Sequence, residues 1–359
     1  MRQALLVGMV VVGLAGDASA QGALGKVAQG AVNVNKARGL ADQIKDLVIT
    51  EQEETDMGAA ISARLREKYG VVQSAPVHKY VSLVGRVLAG SSTRPNLAWT
   101  FIVLDTDGVN AFAAPGGYIH ITRGALALIR TEAELAGVLS HEILHVTEKH
   151  TINAIKKAKV QGAAAETITR SELLEYLIDR AYENLLENRY DRGDETASDQ
   201  GGIRLANGAG YAPGGVGAFL TRLSERNKDL KEPSGVFASH PETKTRVERL
   251  TKQISSEKLT ATATVAARYT AAITYKPVPV TAVATTATGT TPAEPQSKFG
   301  LGGLSSKLGV ERTNTGAVAS ASSRGVNPDR DAKGGPNPRS VTVTVTPAEV
   351  AAFRKGITG

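Results

Sequence analysis

The sequence predicts an α+β fold, mainly helical, with a small β-sheet beside one central helix and a low-complexity tail. Three observations carry this. Apolar residues recur at helical spacing through much of the region up to Leu250. Two short stretches near residues 100 and 120 are instead rich in β-branched and aromatic residues. Beyond Leu250 the composition shifts to Thr, Ala, Gly, Ser and Pro. At 359 residues the chain is long enough to bury a substantial core.

The elements follow in order. Residues 1–20 read as a signal peptide: Arg2 is basic, Ala4–Gly16 is apolar, and Ala18-Ser19-Ala20 is a small-residue cleavage site. The apolar run is shorter than the about 20 residues that a bilayer crossing needs, although an uncleaved membrane start stays open. No cysteine follows to take a lipid, and an exported, periplasmic protein is expected. Residues 21–55 form a loose helical lead-in, and residues 56–254 the main domain. Within it, Met57–Gly70 and Pro76–Gly90 are helices closed by glycine. Leu97–Thr106 and Gly117–Gly124 are strands joined through Asp107–Gly116. A helix opens at Thr131, with Thr131 and Glu134 as a capping box, and runs through "SHEILHVTEKH". Two further helical stretches follow, Ser171–Tyr190 and Asp194–Gly210. Residues 255–338 have too little apolar content to offset ordering entropy and are expected to be a largely disordered linker, although Ala263–Thr281 could extend a strand. In residues 339–359, "SVTVTVT" alternates like a strand, and Thr346, Pro347 and Glu349 open a final helix.

Composition excludes several chemistries. The chain has no cysteine, so disulfides, thiol catalysis and thiolate metal sites are all absent. The net charge of +7 sits mostly in the tail, where twelve Lys and Arg from Ile254 onward face six Asp and Glu. These charges are dispersed, without the aromatic interleaving of a nucleic-acid site, so no nucleic-acid partner is expected. A weak peripheral association with a membrane or envelope surface remains compatible with them.

His141 and His145 lie four residues apart, about 40° around one helix face, so both imidazoles can reach one ion. Zinc suits neutral imidazole nitrogen, and Glu142 stands beside the first ligand without binding the ion itself. On a continuous helix His150 falls about half a turn from His141 and faces away. A catalytic zinc takes three protein ligands, and here the third must be His, Asp or Glu. Glu195 is the best candidate, with Asp199 one turn on to orient a ligating histidine. Glu183, Glu187, Asp191 and Asp194 compete for the place.

The motif order HEILH, ETASD, "GYAP" and "SHPETKTRVERL", preceded by "NAFAAPGGYIHITRGAL", resembles metallopeptidase family forty-eight, the CAAX-prenyl-protease/HtpX-like gluzincins. The resemblance runs from about Gly58 to Leu250 and departs at Ser198, where the family usually has alanine, and in lacking the family's transmembrane helices. It implies a zincin-like metalloprotease domain with one zinc ion per chain. His141, His145 and Glu195 would be its ligands, Glu142 the catalytic base and Asp199 the partner behind a ligand. It also favours Asn110 and Ala111 contacting the main chain of an extended peptide added to a strand edge; a plain hairpin connection with Asn110 serving the turn is the alternative. His240 is expected either to donate to the oxyanion or to gate the site; a plain helix start before Pro241 is the alternative. Arg246 is expected in a structural salt bridge.

The expected activity is zinc-dependent endopeptidase action on unfolded or misassembled envelope polypeptides, with Glu142 moving the proton from water to the leaving amine. The alternative from another class is a chaperone-like factor that binds polypeptide in the same cleft and rarely cuts. A serine hydrolase is excluded for want of a G-x-S-x-G setting. Oligomeric state is not legible.

Overall fold

The computed structural model describes residues 47–157, 169–187, 190–228, 243–279 and 336–358. The signal peptide, most of the lead-in, His240 and residues 280–335 lie outside the described residues. No described helix is long and apolar enough to cross a membrane.

Helix α1 (Glu51–Tyr69) begins within the expected lead-in, because Thr50 and Glu53 form a complete capping box. Pro76 opens α2 (Ala75–Ala89). Strands β1 (Thr100–Leu104), β2 (Ala111–Ala114) and β3 (Tyr118–Thr122) form one sheet in the order β1-β3-β2. β1 and β3 run parallel, and β2 is antiparallel to β3. The expected connection between two strands thus contains a third, turned back by a 3-10 turn at Pro115–Gly117. Gly116 makes that turn possible: its φ is +69°, and a Cβ there would lie 2.6 Å from Thr55 Cα of α1.

Strand alternation divides the core. Phe101, Val103, Ala111, Ala113, Ile119 and Ile121 belong to one apolar cluster, with α2 and the histidine helix. Ile102, Leu104, Phe112 and Ala114 belong to the other, with α1 and a later helix over Arg170–Glu187. The sheet is therefore a middle layer buried on both faces. That explains why its strands read as continuous apolar runs.

After α3 (Arg123–Leu128), the histidine helix α4 runs from Glu132 to Thr147. Only half of its expected capping box forms: Thr131 Oγ1 accepts from Glu134 N, but the Glu134 carboxylate takes Arg130 N and Arg222. α4 ends at Thr147, and Lys149 adopts a left-handed φ of 56° before α5 (His150–Lys157). Helices α6 (Arg170–Glu187), α7 (Arg192–Gly208), α8 (Gly215–Asn227) and α9 (Thr243–Ser256) follow. α4 is the central helix, packed by α2, α7, α8 and β2.

The linker expectation needs correcting over residues 255–279. There α10 (Ala266–Ala272) forms, Ala263 bridges Tyr211, and Tyr269 and Ile273 are buried in the main core. Composition misled because a few anchors suffice when the receiving surface is already built. Arg268 pairs with buried Glu132, and Tyr269 donates to Leu126 O. At the end of the chain α11 (Pro347–Thr358) forms with the Thr346/Glu349 capping box, as its sequence requires. Residues 340–346 form no strand. The segment is instead held by Arg66 donating to Pro338 O and by Lys79 pairing with Glu349.

Candidate metal centre

The centre lies where α4 and α7 cross. Gly202 permits the approach, since a Cβ there would stand 3.1 Å from His141 N. Asp191 caps α7 by accepting from Asp194 N, which sets the phase of the helix and turns Glu195 and Asp199 toward α4.

His141, His145 and Glu195 converge, all buried, with one ligand atom of each within 4.8 Å of the others. Among the described residues no other group of three or more His, Cys, Asp and Glu is close enough to share an ion. His141 Nε2 and His145 Nε2 are 3.1 Å apart. Glu195 oxygens lie 3.7 Å from His141 Nε2 and 3.4 Å from His145 Nε2. A tetrahedral zinc with bonds of about 2.0–2.1 Å would set its donors about 3.3–3.4 Å apart. The three observed separations bracket that value, so these residues fit a metal of that size.

Charge points the same way. Glu142, Glu195 and Asp199 are buried carboxylates, and Arg246 is a buried guanidinium among them. Three formal negative charges against one positive leave a deficit that a dication matches, where an unbalanced buried charge would be costly. Glu142 sits within electrostatic reach of both Arg246 and Tyr190.

Behind the three converging side chains, Asp199 Oδ1 lies 3.0 Å from His141 Nδ1. Arg246 grips the same carboxylate through Nε at 2.8 Å and Nη2 at 2.7 Å, and its Nη1 is 3.2 Å from Glu195. Burial acts to raise the Asp199 pKa, but hydrogen bonds from Arg246 and then His141 overcome it and hold the carboxyl well below its ordinary range. Arg246 is thus a salt-bridge residue, but one that braces the centre itself.

The competing carboxylates have other places. Glu183 pairs with Arg180, Asp191 is the α7 cap, and Asp194 Oδ1 lies 3.6 Å from His150 Nε2. The side chain of Glu187 lies outside the described residues.

His150 does not face away. The left-handed Lys149 folds α5 back, and His150 Nδ1 comes within 3.0 Å of His145 Nδ1. A continuous-helix rule cannot foresee that break. Tyr190, which nothing in the sequence singles out, stacks on His145 with ring centres 4.0 Å apart. Its hydroxyl lies 2.9 Å from Thr151 Oγ1, which donates to Ala113 O on β2.

Asn110 and Ala111 are buried at the start of β2. Asn110 N and O are both bonded to Thr122 of β3, and the Asn110 side chain accepts from Ala111 N. Asn110 N and O and Ala111 N are thus engaged within the protein. His120 Nε2 lies 2.9 Å from Ser62 Oγ, and His78 Nε2 2.9 Å from Val72 O, so both are core histidines.

Residues 77–254 match the family described as Peptidase family M48. The chain is similar to the beta-barrel assembly-enhancing protease of Yersinia pestis, at 23% identity over 202 residues, covering 53% of this chain and 41% of that protein. It is also similar to the mitochondrial metalloendopeptidase OMA1 of Schizosaccharomyces pombe, at 26% over 180 residues, 49% of this chain and 52% of that one. A third relative is the metalloprotease YcaL of Escherichia coli, at 25% over 234 residues, 63% of this chain and 86% of that one. The chain thus spans about half or less of the length of the first two. All three converging residues, with Glu142 and Asp199 beside them, lie inside the matched segment. Residues 77–254, about half of the chain, are a domain of peptidase family M48.

Proposed function

We propose that this chain is a zinc-dependent metalloendopeptidase in which His141, His145 and Glu195 hold the ion and Glu142 is the general base. The observation that carries the reading is the convergence of two imidazoles and one carboxylate with Glu142 next to the first ligand on the same helix. When bound, zinc supplies a Lewis acid that polarises a scissile carbonyl and acidifies water. Glu142 takes the proton from the attacking water and delivers it to the leaving amine. Asp199, clamped by Arg246, keeps His141 in the tautomer that presents Nε2 to the ion. The substrates we propose are unfolded or misassembled polypeptides of the cell envelope. The apolar start of the sequence and the names of the assembly-enhancing relatives support this. His240 remains a proposed oxyanion donor or gate, and Asn110 and Ala111 proposed contacts for a peptide backbone.

The test is wild type against Glu142→Gln, assayed for zinc content and for cleavage of an unfolded protein. The variant should keep its zinc and lose about 10²–10⁴-fold in rate. Equal cleavage would sink the assignment of the base. Zinc in both with cleavage in neither would favour a factor that binds polypeptide without cutting it.

A further inference from the structure

The two ligating histidines are braced by different chemistry. His141 Nδ1 meets a carboxylate, Asp199, at 3.0 Å. His145 Nδ1 meets another imidazole, His150 Nδ1, also at 3.0 Å. Proton bookkeeping then fixes the roles. A neutral imidazole that gives its Nε2 lone pair to a metal carries its hydrogen on Nδ1. His145 must therefore donate from Nδ1, and His150 Nδ1 must accept. It can do so only if His150 carries its own hydrogen on Nε2, the nitrogen that faces Asp194 Oδ1 at 3.6 Å. Ser198 Oγ lies 3.3 Å from His150 Nδ1, farther than His145 Nδ1 at 3.0 Å, so the single lone pair of that nitrogen goes first to His145. Tyr190, stacked on the His145 ring, restricts its rotation.

We infer that His150 is a positioning residue of the metal centre, a neutral acceptor that holds His145 in its Nδ1–H tautomer and aims Nε2 at the ion. The inference rests on the proposed ligand set. It makes the two imidazole ligands unequal: a carboxylate behind His141 draws its proton more strongly than a neutral ring behind His145, so His141 is the stronger donor.

Zinc affinity measured by chelator competition, on wild type, His150→Ala and His150→Gln, tests this, with melting of the metal-free proteins as the fold control. Alanine should cost about 10–100-fold in affinity. Glutamine, whose amide oxygen can accept from Nδ1–H, should restore most of it. Nitrogen-15 imidazole spectra of the zinc-loaded wild type should show His145 protonated on Nδ1 and His150 on Nε2. Unchanged affinity in the alanine variant, equal loss in both variants, or a His150 hydrogen on Nδ1 each overturns the positioning role and leaves the ligand set standing. A wild type that binds no zinc overturns the ligand set, and this role with it. Should the alanine variant fail to fold, the wild-type tautomers and the glutamine variant still decide.

Discussion

Helix α4 carries two buried carboxylate networks about fifteen ångströms apart along its axis, by the helical rise of 1.5 Å per residue. At its first residue, each oxygen of Glu132 accepts two hydrogen bonds. Oε2 takes Tyr80 at 2.7 Å and Arg268 Nε at 2.7 Å, and Oε1 takes Tyr211 at 2.6 Å and Arg268 Nη2. One negative charge meets one positive charge, and the donors saturate the acceptors. Burial, reinforced by Glu132, pushes both tyrosine hydroxyls well above their ordinary pKa, so they remain donors. At the middle of the same helix, three carboxylates share one arginine, and ligand atoms of three residues lie within 4.8 Å of one another. The first network is closed within the protein; the second is left with a negative excess that a cation would balance. Burial and charge alone do not tell such places apart. The balance of donors against acceptors does.

Breaking the closed network should have the largest effect on folding. Glu132→Ala leaves Arg268 and two tyrosines without their acceptor and should cost about 3–5 kcal/mol in denaturant unfolding, with zinc stoichiometry unchanged in whatever remains folded. Loss of zinc binding in the folded fraction would show that the two networks are coupled.

Acid titration of the metal-free protein should come next in size and gives the background against which both networks must be compared. Buried His120 has its pKa lowered to about 3, first by desolvation and then by Arg66. Its stabilising contribution is full above the unfolded value of about 6.5 and is lost as pH falls toward its folded value, by roughly 2–3 kcal/mol at pH 4.5. Asp199, held low, adds a second loss that begins only below an unfolded value of about 3.9. His120→Asn should flatten the first phase alone; an unchanged curve would show that another group titrates there.

Asp199→Asn attacks the open network without removing a ligand. Zinc affinity should fall about 10–100-fold, while metal-free stability should change less than in Glu132→Ala. The smallest effect should come from Thr131→Ala, which removes the cap that starts α4 beside Glu132. About 1 kcal/mol is expected in thermal melting, with no change in zinc affinity.

The contrast also explains what could be read from the sequence. The four-residue spacing of His141 and His145 is local helical geometry and survives folding intact. Glu195 could not be separated from its neighbours by spacing. The resemblance chose it, and the α7 cap and Gly202 are what bring it to the site. His150 was misplaced because the helix breaks at Lys149, whose left-handed backbone accompanies an ion pair with distant Glu54 at 3.1 Å. The closed network was invisible for the same reason: Tyr80, Tyr211 and Arg268 meet Glu132 only through tertiary packing. Residues 255–279 looked too poor in apolar content to fold, and they fold on a handful of anchors.

The break at Lys149 bears on where this protein ends as a physical object. Its partner Glu54 also accepts from Arg94 and from Gly116 N, so α1 ties together the turn before β3 and the turn that returns His150. At the opposite end of α4, Arg268 closes the Glu132 network from beyond α9. Both Glu54 and Arg268 lie outside residues 77–254. The unit by which the family is recognised is therefore smaller than the unit that holds its own shape. A fragment cut at the boundaries of the match would keep every ligand and lose the braces at both ends of the helix that carries two of them.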